Sequence, residues 1–144
     1  MEQIKHKAII VDIDGTIAKM KRGPGQRRPY DWDRVIEDDI NPAICALIDM
    51  VFEKGVKILL LTGRDESSRK GTVEWLKLHD ISWDSLYMKE KGSYEASTKT
   101  KHTTYVEEIR PHFNILFVLE DESKVVDMWR SIGLTCIQVN EGRA

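Results

Sequence analysis

Five short, largely apolar runs punctuate this chain, at residues 9–11, 56–61, 85–88, 115–119 and 135–139, with longer amphipathic stretches between them. Continuous apolar runs without alternation predict strands buried on both faces, as in a parallel sheet. Asn41-Pro42 reads as an N-cap and first helical residue. Ile44, Leu47, Ile48, Val51 and Phe52 then recur at i, i+3, i+4, i+7 and i+8, a helix that ends at Gly55. Ser67 or Ser68 can cap a second helix carrying Val73, Trp75 and Leu76 to about His79. Residues 97–110 are a third helix. A fourth runs from Ser123, buries Val125 or Val126 with Met128, Trp129 and Ile132, and stops at Gly133. Residues 18–39 show neither period, and residues 140–144 read as a loose tail. Strands alternating with helices imply right-handed crossovers. The predicted fold is α/β: a three-layer, Rossmann-like parallel sheet of about five strands with helices on both faces. It reads as one domain over residues 1–144, with no insertion long enough for a large cap domain.

Composition changes this picture little. The chain has 144 residues, 41% hydrophobic, enough for a substantial core. A net charge of −2 excludes a globally basic nucleic-acid binder, so any such signal must be local. Cys45 and Cys136 fall in a predicted helix and a predicted strand, which favours two buried free thiols over a disulfide or a zinc site. No apolar leader and no run of membrane-spanning length occurs, so the expected compartment is the cytoplasm.

The chemistry sits where the strands end. The first runs into Asp12-Ile13-Asp14-Gly15-Thr16, the second into Thr62-Gly63-Arg64, the fourth into Glu120-Asp121, and Lys101 lies between the last two. Open α/β sheets bind ligands at the carboxyl edge of their strands, and a carboxylate there can attack phosphorus in covalent catalysis. Asp and Gly at a strand end also suit a plain turn. A calcium loop does not fit, because an apolar run precedes Asp12 and position 16 is Thr. Taken singly, Thr62-Gly63 suits a turn, Glu120-Asp121 suits a helix N-terminus, and Lys101 suits a surface. Their order at successive strand ends carries the argument.

These motifs resemble the haloacid dehalogenase superfamily of phosphatases. The resemblance implies that Asp12 is the nucleophile and Asp14 the general acid and base. It implies Mg²⁺ held by the Asp12 carboxylate, the Asp14 carbonyl and Asp121, with Glu120 in a supporting place. Thr62 and Lys101 would contact the phosphoryl group, helped by backbone amides around Thr16 and Gly63. A Glu stands where the superfamily commonly has the first Asp of its last motif. The stretches Asp12–Met20, Arg28-Pro29-Tyr30-Asp31, Ile40-Asn41-Pro42, Ile109–Phe113 and Val125–Gly133 are similar, more narrowly, to the 3′-phosphatase domains of phage polynucleotide kinase/phosphatases. That likeness implies removal of a 3′-phosphate from a DNA or RNA end. It also implies substrate-binding roles for Arg64 and for Arg27, with Arg28 as the competing alignment. Ser97 stands where that branch has an acid, four positions before the motif lysine.

Lys19, Lys21, Arg22, Arg27 and Arg28 make a basic loop within residues 19–39 that should overhang the site and meet a phosphodiester backbone. Tyr30 or Trp32 could stack on a base or pack on the core. No G-x-x-x-x-G-K-[ST] motif occurs, so 5′-kinase activity is not expected. The expected partner is a nucleic-acid 3′ end, with no membrane and no stable protein partner. Two rival readings stand: a phosphatase of a small metabolite or mononucleotide, and a non-catalytic end-binding protein.

Overall fold

A computed structural model describes residues 4–140. The sheet begins with β1 (His6–Val11), whose Ile9 and Val11 face one core while Ala8 and Ile10 face the other. That two-sided burial requires a central position, and β1 lies between β4 (Lys57–Asp65) and β6 (Phe113–Glu120). With β5 (Ser85–Lys89) and β7 (Cys136–Gln138) at the edges, the order is β5-β4-β1-β6-β7, parallel throughout. Helices α1 (Pro42–Glu53) and α2 (Arg69–Leu78) cover one face through Ile44, Ile48, Trp75 and Leu76. The other face is covered by α3 (Ser97–Thr104), the turn after it, and α4 (Ser123–Ser131), through Ile109, Val125, Val126 and Trp129. The three-layer α/β expectation is met.

Several details differ from the sequence reading. Residues 18–39 are not featureless: β2 (Ala18–Lys19) and β3 (Asp39–Ile40) form an antiparallel pair, and a 3-10 helix spans Trp32–Glu37. Two-residue strands are too short to show a period. They form because buried Ile17, Ala18 and Val35 anchor them, and Asn41 N–H donates to the Ile17 carbonyl at 2.7 Å. Asn41 does cap α1 by position, but its side chain makes no capping bond. The helix ends as expected at Gly55, whose φ of +79° favours glycine. Before α2 the capping acceptor is Asp65, which takes the Ser67 N–H at 2.8 Å; neither serine side chain does so.

The helix expected over residues 97–110 is α3 followed by a π-helical turn, Tyr105–Ile109, where Arg110 N–H reaches back five residues to the Tyr105 carbonyl at 2.7 Å. In β6, the pairing with β1 slips between Ala8 and Ile9, so Leu116 bulges out and is exposed rather than buried. Cys136 is buried, but Cys45 is only partly so.

Candidate active site

In register, Val11 of β1 lies between Leu60 of β4 and Leu119 of β6. The residues after these three positions therefore emerge together at one edge. Asp12 N–H continues the ladder by donating to the Leu119 carbonyl at 3.0 Å. Its carboxylate, 5% exposed, accepts from Thr16 Oγ1 at 3.1 Å and from Lys101 Nζ at 2.9 Å. Lys101, in α3 and itself buried, also donates to Glu120 Oε1 at 2.7 Å. The second Glu120 oxygen accepts the Asp121 backbone N–H at 3.1 Å. Residues 12, 101, 120 and 121 thus form one bonded unit.

The charges in this unit are mutually adjusted. Burial alone would raise the Asp12 carboxyl; the Lys101 ammonium and the surrounding hydrogen bonds outweigh it and hold the pKa below the ordinary carboxylate value. Glu120 moves the other way, pushed up to about 9 by burial and then by the Asp12 charge, with Lys101 opposing. Burial lowers the Lys101 pKa, and its two carboxylate neighbours more than restore it, so it stays a cation. Oxygens of Asp12, Glu120 and Asp121 lie within 4.8 Å of one another. Even with Glu120 pushed toward its neutral form, the Asp12 and Asp121 carboxylates against one ammonium leave a negative excess that a divalent cation would neutralise, and an all-oxygen donor set suits a hard ion such as Mg²⁺. The residues present fit that metal.

The loop after β1 is shaped for Asp121. Gly15 has φ +82°, and a Cβ on it would stand 2.0 Å from Asp121 Oδ2. One side chain at the end of edge strand β7 and one just beyond it steady this meeting. Asn140 Nδ2 donates to the Gly15 carbonyl at 2.9 Å, and Gln138 Nε2 donates to the Asp121 carbonyl at 3.1 Å. Asn140 is thus engaged rather than part of a loose tail; residues 141–144 lie outside the described ones. Neither contact was expected, since nothing in the local pattern marks an amide near the C-terminus.

Asp14 is held by an arginine. Arg64, with its side chain fully buried, donates from Nε and Nη2 to the two Asp14 oxygens at 2.9 and 2.7 Å. Its remaining donors go to Thr72 Oγ1 at 2.9 Å and Asp38 Oδ2 at 3.2 Å. Arg27, also buried, forks onto both oxygens of Asp38 at 2.8 Å and approaches Asp14 at 3.8 Å. Both arginines were expected to grip substrate. The geometry pairs them with Asp14 and Asp38, each guanidinium matching a carboxylate fork, while both also line the same cavity as Asp12. Asp38 was missed because it ends a stretch without period. Thr72, on α2, was missed as an ordinary helix residue.

A cavity of about 1220 Å³ opens onto Asp12, Asp14, Lys101 and Asp121, with Gly63, Arg64 and Arg27 in its walls. Among the basic-loop residues, Lys19, Lys21 and Arg22 also line it. Arg28 is separate: its side chain is 86% exposed and pairs with Asp31. Thr62 is buried with its hydroxyl accepting the Arg64 N–H at 3.1 Å, and Thr16 is buried against Asp12. Ser97 faces Gly63, where a Cβ would come within 2.7 Å of its hydroxyl.

Fold and site together define a haloacid dehalogenase-type phosphatase. Its branch follows from comparison: the profile described as polynucleotide kinase PNKP phosphatase domain matches residues 6–143, and the chain belongs to that family. A bifunctional polynucleotide kinase/RNA ligase of Autographa californica nuclear polyhedrosis virus is 25% identical over 134 residues, covering 91% of this chain and 19% of that protein. Two solved chains from a Pnkp1/Rnl/Hen1 complex, one described as an RNA repair complex, are each 33% identical, with TM-scores of 0.90 and 0.91. They cover 97% and 99% of this chain, which spans 44% and 49% of theirs. The chain therefore spans less than half the length of each of these relatives. The expectation of no stable protein partner is corrected by these two structures, because both similar chains sit in a multi-protein complex. Nothing in a single sequence marks which surface is shared. Among the described residues no helix is long and apolar enough to cross a membrane.

Proposed function

We propose that this chain is a Mg²⁺-dependent phosphatase of polynucleotide 3′ ends, working through an aspartyl-phosphate within an RNA-repair assembly. Asp12 is the nucleophile. Its carboxylate is kept ionised by Lys101 and Thr16 and has one side open to the cavity. An Asp12 oxygen bonds to phosphorus while the ester oxygen departs, taking a proton from Asp14. A water then attacks the acyl phosphate, Asp14 accepts its proton, and phosphate leaves with Asp12 restored. Arg64 and Arg27 fix Asp14 for both transfers, and Lys101 offsets charge on the phosphoryl oxygens. Mg²⁺, held by Asp12, the Asp14 carbonyl and Asp121, would offset repulsion between the carboxylate and the phosphate. Glu120 supports it from behind through Lys101 and the Asp121 backbone.

The observation that carries this reading is the meeting of Asp12 and Asp121, remote in sequence, beside one buried lysine on a shared cavity. The test is release of phosphate from a 3′-phosphorylated oligoribonucleotide, a 3′-mononucleotide and a sugar phosphate, each with Mg²⁺ and with EDTA. Activity on the oligonucleotide that needs Mg²⁺ and vanishes in Asp12→Asn is expected. Preference for the mononucleotide would defeat the polymer assignment, and activity in EDTA would defeat the metal.

A further inference from the structure

The cavity is larger than the ~300–1,000 Å³ of sites that enclose a whole small ligand, and its mouth is asymmetric. One wall is basic: Lys19, Lys21 and Arg22 line it, all exposed. Lys21 has a long, exposed ion pair with Asp39 at 3.9 Å, which a phosphate can displace. The wall beside Asp121 carries Glu122, which repels a phosphodiester. Lys89 also lines the cavity, with its ammonium donating to the Glu95 carbonyl at 2.6 Å.

Tyr30, 82% exposed, lines the same cavity. Its ring meets partly buried Trp32 at 5.9 Å between centroids and 85° between planes. That edge contact holds the tyrosine while leaving most of its ring in water. A large exposed aromatic and a set of exposed cations lining one cavity around a reaction centre are the elements that single-strand binders combine. Core packing, the other role open to this pair, suits Trp32 but not a ring so exposed.

We infer that the strand leading to the reacting phosphate runs along Lys19, Lys21 and Arg22, with a base near its 3′ end stacked on Tyr30. The inference rests on the phosphatase reading above and adds to it a preference for single-stranded ends several nucleotides long.

A ladder of 3′-phosphorylated oligonucleotides of increasing length, with a sugar phosphate as the baseless control, tests it. In the parent protein kcat/KM rises over the first few nucleotides. Tyr30→Ala raises KM for the longer oligonucleotides by about 5- to 150-fold, the range of one stacking contact, well beyond any change on the sugar phosphate. Tyr30→Phe restores it. Lys21→Ala with Arg22→Ala flattens the salt dependence of KM by about 0.7 log units per decade for each lost charge. A parent that turns over every length equally, or a Tyr30→Ala loss as large on the sugar phosphate, overturns the track while leaving the phosphatase intact. No release from any oligonucleotide removes the phosphatase reading and the track with it.

Discussion

Asp38 accepts from two buried guanidiniums, Arg27 through both of its oxygens and Arg64 through one. Deleting it leaves buried Arg27 without its fork partner and takes from Arg64 the second of its two carboxylates, and breaking a buried pair costs about 3–5 kcal/mol. Asp38→Ala should lower the unfolding free energy by that order in urea denaturation, with Asp38→Asn losing less because its amide oxygen still accepts. A variant as stable as the parent would show that Arg27 and Arg64 find other acceptors. Asp14 depends on the same arginines but does a different job. Asp14→Asn is expected to lower kcat by ~10²–10⁴-fold, the scale of general acid–base catalysis, with a smaller fall in melting temperature than Asp38→Ala, because the amide oxygen still accepts from Arg64 at a partly exposed position. Gly15 faces Asp121 so closely that no Cβ fits. Gly15→Ala should displace that carboxylate and weaken the apparent Mg²⁺ affinity by about 10–100-fold, as disturbed ligand support does. A Mg²⁺ titration of activity reads this directly.

Elements place these residues more rigidly than loops could. β1 is paired on both sides, so Asp12 leaves a strand that has no freedom to slide. Lys101 comes from α3, which is held down where the π turn brings Tyr105 edge-on to Trp129 of α4, at 5.6 Å between centroids. Trp129 is almost fully buried and anchors that whole layer. Its replacement by Ala should cost about 3–5 kcal/mol, as large-to-small core changes do, and calorimetry would show the lowered melting temperature. If the α3 layer is what seats Lys101, activity should fall further than the unfolded fraction explains. The Leu116 bulge belongs to this scale too. An apolar run cannot announce a register slip, because the slip is set by the neighbouring strand.

At the scale of the molecule, the parallel sheet collects at one edge what the chain keeps far apart. Lys101 and Asp12 are 89 positions apart, and Arg64 and Asp14 are 50 apart. Strand positions, helix positions and the order of the motifs follow from local pattern, since burial period and turn chemistry act between chain neighbours. Asp12, Asp14 and Asp121 stood out for that reason, each at or near a strand end, whereas Lys101 stood out only through the resemblance to a family. Other contacts were not legible. Arg27 rather than Arg28 faces the cavity because the loop turns one inward to Asp38 and leaves the other in water. Asn140 and Gln138 steady Gly15 and Asp121 only because β7 lies next to β6. By itself, the amino-acid order determined the strands of the main sheet, the helices that flank it and what chemistry their ends carry. Only the tertiary structure decided which charges pair, because a buried ion pair is chosen by distance in space and by the acceptors left after the strands have taken their places.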